Sequence, residues 1–315
     1  MIASGKLAAA IMLPLLAGCG GTGGAVGGGL ATRAIAASGD ATGSFAAAAP
    51  SGTVQIPFQL LKPAGNGPFP AIVMVHDCSG VGRRSSGAPR RWAAKLVPQG
   101  YVVILPDSFS PRGFPDGVCT NDKAQAAGPF VRAGDARAAL AWLRTQPYVD
   151  GAHIGLMGGS HGGSTTLATM FERGTGQNPG FAAAIALYPG CGVSYGSWRV
   201  TRQGGPGGPL SFAGAYKPTA PLLILIGEKD DWTPAAPCQS LAAAARQAGG
   251  PVSIKVYPDA LHSFDSNSRI NYNAERNNAN KQGGRGATTG GNPAAWADAE
   301  KEVAAFFGKY LKGAD

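Results

Sequence analysis

Short apolar segments of the kind that form buried strands alternate with helical segments from residue 52 onward. The predicted strands are residues 53–61, 71–75, 101–105, 154–157, 181–187, 222–226 and 252–257. The predicted helices are residues 89–98, 124–143, 235–248, 294–311 and one that begins within 164–171. This alternation indicates an α/β fold, in which helices cover both faces of a mostly parallel sheet. Functional groups are then expected at the carboxyl ends of the strands.

The N-terminal segment has the features of an export signal followed by a linker. An apolar run over 7–16 follows a single lysine and is too short to span a bilayer as a helix. The sequence Leu-Ala-Gly-Cys at 16–19 resembles the lipobox of bacterial lipoproteins. We therefore predict a signal peptide over 1–18, a lipid on Cys19 and a cell-envelope location. An ordinary secretory signal, giving a periplasmic protein, is the alternative. Residues 19–51 are rich in Gly and Ala without periodicity, which predicts a flexible tether.

Composition excludes several classes of protein. The chain of 315 residues is 44% hydrophobic and 14% charged, which is typical neither of disordered polyelectrolytes nor of coiled coils. Its net charge is +9, but no block of five Lys or Arg residues occurs. We therefore expect no nucleic-acid partner.

One segment of the predicted domain, which runs over 52–315, fits no strand or helix. Residues 266–292 are polar and rich in Asn, Gly and Arg. Such a length is unusual for a loop in a compact domain. We expect this polar segment to be a lid, an insertion or a disordered excursion.

The pattern Gly-x-Ser-x-Gly occurs twice, centred on Ser160 and on Ser194. A nucleophile elbow needs a strand before the serine and a helix after it. Ser160 lies between the predicted strand 154–157 and the helix that begins within 164–171. Ser194 instead precedes the glycine-rich run 204–208, which cannot be helical. We therefore predict Ser160 as a nucleophile and interpret Ser194 as a chance match. A glycine-rich turn without chemistry is the alternative for Ser160.

A serine hydroxyl needs a general base, and the chain has only four histidines. His161 lies within the elbow itself, and His153 lies at the amino end of a predicted strand. His76 ends the second predicted strand. His262 follows the last predicted strand and comes after the serine, as the hydrolase order Ser…Asp/Glu…His requires. This order favours His262 as the base.

An acid and an oxyanion hole also have candidates. The turn after the strand 222–226 contains Asp230 and Asp231, either of which could orient the imidazole. The other is expected to cap the following helix. Of the two backbone N–H donors of an oxyanion hole, one belongs to the residue after the nucleophile, His161. The other is expected from the loop 76–80.

Residues 52–313 resemble the dienelactone hydrolase family of α/β-hydrolases. Three motifs carry the resemblance: Gly-Gly-Ser-His-Gly-Gly at 158–163, Gly-Glu-Lys-Asp-Asp-Trp-Thr-Pro at 227–234 and Tyr-Pro-Asp-Ala-Leu-His-Ser-Phe at 257–264. The resemblance implies the α/β-hydrolase fold and the cleavage of an ester or lactone. The family's acid stands three residues after the Gly and four before the Pro, which selects Asp230. The family's oxyanion loop corresponds to 76–78 and implies the Cys78 N–H as the second donor.

Two departures from the family pattern bear on the substrate. The founding enzymes use Cys as the nucleophile, where this chain has Ser. They also hold a substrate carboxylate with two arginines, and Arg112 takes the position of one of them. Ser266 stands where the second is usual, and Arg269 is nearby but offset. We expect Arg112 to bind a carboxylate, with a solvated loop residue as the alternative. We expect Trp232 and Phe264 to form an apolar wall beside the acid and the base.

Four cysteines follow the tether, an even number that suggests two disulfides in an exported chain. Spacing alone leaves three pairings open. In the sheet of the α/β-hydrolase fold, the strands before Cys78 and Cys119 are neighbours, and so are those before Cys191 and Cys238. The resemblance therefore implies the bridges Cys78–Cys119 and Cys191–Cys238.

The leading hypothesis is an exported serine hydrolase that acts on a small ester or lactone, with the catalytic residues Ser160, Asp230 and His262. It requires neither a metal nor an organic cofactor. We expect a monomer whose only membrane contact is a lipid on Cys19. The alternatives are a peptidase on the same fold and a non-catalytic envelope binding protein on a hydrolase scaffold.

Overall fold

The computed structural model describes residues 37–49, 52–121, 124–171 and 180–314. Within these ranges the chain forms a central eight-stranded sheet, two small two-stranded sheets and five α-helices. The strands are β1 (Ala37–Ala49), β2 (Gly52–Pro63), β3 (Phe69–Val75), β4 (Val102–Pro106), β5 (Val149–Gly159), β6 (Ala183–Leu187), β7 (Arg199–Arg202), β8 (Leu210–Ala213), β9 (Leu222–Gly227), β10 (Val252–Tyr257), β11 (Asn271–Asn277) and β12 (Arg285–Thr289). The helices are α1 (Ala88–Leu96), α2 (Pro129–Arg144), α3 (His161–Met170), α4 (Ala235–Gln247) and α5 (Pro293–Lys312).

The central sheet is mostly parallel, as the alternation of strands and helices predicts. Its order is β1-β2-β4-β3-β5-β6-β9-β10, and every neighbouring pair from β4 to β10 is parallel. Only β1 with β2, and β2 with β4, are antiparallel. Every residue of β4, β6 and β9 is buried. Because the side chains of a strand point to both faces, helices must cover both faces of this sheet.

Two helices begin three or more residues away from their predicted starts. Helix α2 begins at Pro129 rather than at 124, because Gly128 before it is extended and the fixed φ of proline suits the first helical position. Helix α3 begins at His161, directly after Ser160. The glycines that follow His161 conceal this early start, because their helix propensity is low.

Strand β1 lies within the segment predicted to be a flexible tether, and that prediction is wrong for residues 37–49. Their backbone pairs with β2 over most of its length. On one face, Phe45 is buried and stacks on Phe58, with ring centroids 5.8 Å apart. Small residues dominate both faces of β1, so the order comes from backbone pairing that side-chain periodicity does not reveal.

The predictions for the signal peptide, the lipobox and Cys19 fall on residues 1–36, outside the described ranges. Within the described ranges, no helix has the length and apolar character needed to cross a bilayer.

The polar segment 266–292 contains an ordered hairpin, in which β11 pairs antiparallel with β12. Asn278 in its loop is buried and donates hydrogen bonds to the carbonyl oxygens of Asp231, at 2.9 Å, and Gly286, at 2.8 Å. Of the possibilities that the sequence left open, a disordered excursion is excluded for this hairpin. We call β11, β12 and their loop the polar hairpin.

Both predicted disulfides are present, Cys78–Cys119 and Cys191–Cys238. The first joins the loops that follow the neighbouring strands β3 and β4. The second joins the loop after β6 to α4, which follows the neighbouring strand β9. Two disulfides are consistent with an exported protein, and each contributes about 2–4 kcal/mol to the free energy of unfolding.

Candidate active site

Ser160 occupies the sharp turn between β5 and α3. Its φ of 55° and ψ of −118° form a strained conformation for a residue with a side chain, as in a nucleophile elbow. Gly162 allows the turn to approach β3, because a Cβ atom there would lie 2.2 Å from the carbonyl oxygen of Val75. The turn therefore places Ser160 at the carboxyl edge of the sheet, where the parallel strands end.

A chain of hydrogen bonds joins Ser160, His262 and Asp230. The Nε2 atom of His262 lies 2.8 Å from Ser160 Oγ, and its Nδ1 atom lies 2.7 Å from Asp230 Oδ2. The other carboxylate oxygen of Asp230 accepts the N–H groups of Trp232, at 2.9 Å, and Thr233, at 2.8 Å. The structure thus brings together the three residues that the sequence predicts, in an order that can move a proton from the serine to the histidine.

Two residues that the sequence analysis missed hold the imidazole of His262 in place. Thr233 Oγ1 lies 3.0 Å from His262 Nδ1 and 2.9 Å from Asp230 Oδ2. The ring of Tyr188 packs edge-on against His262, with centroids 4.7 Å apart. The Tyr188 hydroxyl donates to the buried carboxylate of Asp265 at 2.7 Å. Thr233 lies within the acid-turn motif, whereas no sequence signal points to Tyr188, since it follows β6 in an ordinary loop.

Asp231 has a different task from the capping role expected of it. Its carboxylate accepts the backbone N–H of Thr288 at 2.8 Å and the Thr288 hydroxyl at 2.9 Å. Helix α4 has no side-chain cap at its first turn. The polar hairpin has taken this carboxylate, so the expectation of a cap is wrong. The two neighbouring aspartates are thereby separated, with Asp230 on His262 and Asp231 on the hairpin.

The two predicted oxyanion donors have N–H groups that are not used elsewhere. The N–H of His161 is the first of α3 and has no acceptor within the helix. Among the described residues, the N–H of Cys78 is hydrogen-bonded to no acceptor. Cys78 and Ser160 also line the same cavity.

This cavity has a volume of about 380 Å³ and is lined in part by Ser160 and His262. Trp232 forms part of its wall, as predicted, with its ring 4.8 Å from that of His262. Asp77 is the only acidic residue among the described residues of the lining, and its carboxylate accepts hydrogen bonds from Ser79 and Ser86. The lining contains four arginines: Arg84, Arg91, Arg269 and Arg276. The cavity is therefore electropositive.

The structure contradicts the substrate contacts predicted for Arg112 and Phe264. Both terminal nitrogens of Arg112 donate to the Asp135 carboxylate at 2.8 Å, and neither residue lines the cavity. Because the side chains of this pair are only 7% and 0% exposed, the guanidinium is committed to Asp135. Phe264 is fully buried and packs against Tyr188. Sequence spacing could not reveal these contacts, since Asp135 lies far from Arg112 along the chain, and Tyr188 lies far from Phe264.

Ser194 lies outside this site. It falls between β6 and β7, without a helix behind it, and its Oγ accepts the N–H of Val200 at 3.0 Å. The structure supports its interpretation as a chance match.

Comparison with known proteins places this arrangement in a family. Residues 56–311 match the sequence model of the dienelactone hydrolase family. The chain belongs to the dienelactone hydrolase family. A protein from Methylorubrum extorquens named "Putative carboxymethylenebutenolidase" is 30% identical over 238 residues, which cover 71% of this chain and 76% of that protein. The family assignment makes this protein a hydrolase and agrees with the resemblance found in the sequence.

Solved structures share the α/β-hydrolase fold. A dienelactone hydrolase-like promiscuous phosphotriesterase from metagenomic libraries matches with a TM-score of 0.57 at 16% identity, covering 86% of this chain and 99% of the other. Thermogutta terrifontis esterase 2 matches with a TM-score of 0.52 at 19% identity, covering 81% and 89%. At these identities the similarity shows the fold alone.

Two histidines beneath the site are held neutral. His76 is fully buried, its Nδ1 donates to the Asp77 carbonyl at 2.8 Å, and its Nε2 accepts the Ser108 N–H at 3.2 Å. Burial and the positive charge of Arg132 lower the pKa of His76 well below 6.5, and the same two causes lower the pKa of His161. The folded state therefore resists protonation at both rings.

This predicts a loss of stability in mild acid. Below about pH 6.5 the unfolded chain binds protons that the folded chain does not, so the free energy of unfolding falls by up to about 1.4 kcal/mol per pH unit for each histidine. Burial raises the pKa of Asp265, which acts in the opposite direction, so a variant must isolate the effect. In urea denaturation, His161→Gln should lose less stability than the wild type between pH 7 and pH 5. An equal loss in both proteins would contradict the prediction.

Proposed function

We propose that this protein is a serine hydrolase that cleaves a carboxylic ester or lactone through an acyl-enzyme on Ser160. The supporting observation is the continuous hydrogen-bond chain from Ser160 through His262 to Asp230, in which Ser160 and His262 line the cavity. A fold alone does not define a reaction, and the stronger support comes from a nucleophile, a base and an orienting acid at the distances that acyl transfer through a serine requires.

In the proposed reaction, Ser160 Oγ attacks the carbonyl carbon while His262 Nε2 takes its proton. Asp230 holds the Nδ1–H group and stabilises the imidazolium. The N–H groups of Cys78 and His161 donate to the oxyanion of the tetrahedral intermediate. His262 then protonates the leaving alcohol, and the acyl-enzyme forms. Water attacks this ester by the same route, which releases the acid and restores Ser160.

The cavity favours a substrate that carries an anionic group such as a carboxylate. Arg269 is exposed and has no partner among the described residues, and Arg276 lies over the ring of Trp232, 5.0 Å from its centroid. Both belong to the polar segment and line the cavity, in contrast to Arg112. An arginine can bind a carboxylate through two parallel hydrogen bonds. We assign the anion contact to Arg269 and Arg276.

The proposed location is the cell envelope, with a lipid on Cys19. The sequence Leu-Ala-Gly-Cys at 16–19 and the two disulfides support export to an oxidising compartment. Such an anchor would tether the hydrolase domain to a membrane surface.

One prediction concerns the nucleophile and the base of the proposed triad. Ser160→Ala and His262→Ala should each lower kcat for 4-nitrophenyl acetate by about 10⁴-fold or more, because nucleophile and base act as a unit. Ser194→Ala, which removes the serine of the second pattern, should keep most of the activity. Near-wild-type turnover by purified Ser160→Ala would refute the assignment.

The two neighbouring aspartates provide a matched pair for the acid. Asp230→Asn should lower kcat by about 10³–10⁴-fold, because the imidazole loses its orienting carboxylate. Asp231→Asn should lower it far less, since Asp231 binds Thr288 and not His262. The reverse order would assign the acid to Asp231.

Another prediction concerns the anionic group of the substrate. The measurement is kcat/KM for two aryl esters of succinic acid, one with a free carboxylate and one with that group methylated. The wild type should prefer the charged ester, and Arg276→Gln and Arg269→Gln should each reduce the preference by about tenfold, as expected for a lost charge-assisted contact. Arg285→Gln is the control, because Arg285 lies on β12 of the same hairpin but does not line the cavity. A wild-type preference for the methylated ester would contradict the proposal.

The last prediction of this subsection concerns the lipid on Cys19. Cells grown with an alkyne-tagged fatty acid should incorporate the tag into the wild-type protein and not into Cys19→Ser. The wild type should fractionate with membranes, and the variant should appear in the soluble periplasmic fraction. Absence of the tag from the wild type would leave an ordinary secretory signal as the explanation.

A further inference from the structure

A buried arginine of α2 lies between the two loops that carry the proposed oxyanion donors. Arg132 is 0% exposed, its Nη1 atom lies 2.5 Å from His161 Nδ1, and its Nη2 donates to the His76 carbonyl at 2.6 Å. The guanidinium packs over the ring of Phe109, 4.7 Å from its centroid. The proposed reaction assigns no role to this side chain.

The burial of the Arg132 guanidinium lowers the stability of the fold. Among the described residues, no carboxylate forms an ion pair with Arg132, and its Nε has no hydrogen-bond partner. The nearby carboxylate of Asp135 is engaged by Arg112. Burying a charge without a direct ion pair costs stability, and the nearby negative charges of Asp135, Asp77 and Asp107 offset part of that cost. Burial lowers the pKa of Arg132 to about 9, so the group is still charged at neutral pH.

The two partners of Arg132 belong to the two halves of the oxyanion hole. His161 follows Ser160 and carries the first donor. The His76 carbonyl lies in the loop after β3, two residues before Cys78, which carries the second donor. A guanidinium is a rigid planar fork, so binding both groups fixes the distance between the two loops. The neutral ring of His161 accepts this hydrogen bond at Nδ1, in agreement with its lowered pKa.

We propose that Arg132 is a positioning residue of the oxyanion hole, which locks the loop from His76 to Cys78 against the first turn of α3. It acts through the backbone N–H groups of Cys78 and His161 and does not contact the substrate. This inference rests on the proposed serine hydrolase activity.

The test compares Arg132→Met with Arg137→Met. Arg137 also lies on α2, but its guanidinium donates to the carbonyls of Ala133 and Thr169, away from the oxyanion loops. With 4-nitrophenyl acetate, Arg132→Met should lower kcat by about 10–100-fold with KM changed less than about threefold, because displaced donors weaken transition-state binding. Arg137→Met should keep kcat within about threefold of the wild type, and Arg132→Lys should recover part of the loss.

A second readout separates an oxyanion effect from general damage to the fold. A boronic acid that bonds to Ser160 places one of its oxygens in the oxyanion hole, so it resembles the tetrahedral intermediate. Its inhibition constant should rise in Arg132→Met by the same factor as kcat/KM falls. An Arg132→Met enzyme with kcat equal to that of Arg137→Met, or with a loss confined to KM, would overturn the proposal.

If Arg132→Met fails to fold, substitutions of its partner carry the test. His161→Gln keeps an acceptor for the guanidinium, whereas His161→Leu removes it, and both keep the backbone N–H. The kcat of His161→Leu should be about tenfold below that of His161→Gln, and equal values would overturn the proposal. An inactive wild type would refute the proposed function and this inference together. An active wild type with an equally active Arg132→Met would refute only the inference.

Discussion

The strained turn at Ser160 is the constraint on which the rest of the site depends. A residue with a side chain is held at a φ of 55° because its backbone N–H donates to the Leu187 carbonyl at 3.0 Å and Gly162 lies directly against the end of β3. The parallel pairing of β5 with β3 and β6 fixes both of these neighbours. The hydroxyl is thereby placed where the loops after several strands converge, so His262 can reach it.

A connected set of contacts holds these loops together around the cavity. The disulfide Cys78–Cys119 ties the oxyanion loop to the loop after β4. The Cys119 carbonyl accepts the N–H of Asn277 in the polar hairpin at 3.0 Å, and the Asn277 carbonyl accepts the Trp232 indole N–H at 2.7 Å. Trp232 lies in the acid turn and packs on His262. The polar segment 266–292 thus forms a wall of the site and supplies two of its four arginines, Arg269 and Arg276.

The sequence predicted those features of the fold and the site that depend on residues close together in the chain. Apolar runs such as β9 predict buried parallel strands, and the elbow at Ser160 needs its glycines in the sequence itself. Two of the failures have a common cause, which is that the decisive partner lies far away along the chain: Asp135 for Arg112, and His262 for Tyr188. The pairing of β1 with β2 was missed for another reason, since its partner is the next strand but its small residues give no side-chain periodicity.

Identification of the residue modified by a fluorophosphonate tests the central claim most directly. Such a reagent forms a stable bond to a serine only when a base activates that serine. The native protein, labelled and digested, should yield one modified peptide with the adduct on Ser160. The labelling rate should fall to background in His262→Ala. An adduct on another residue, or the absence of an adduct in a protein that hydrolyses esters, would contradict the account.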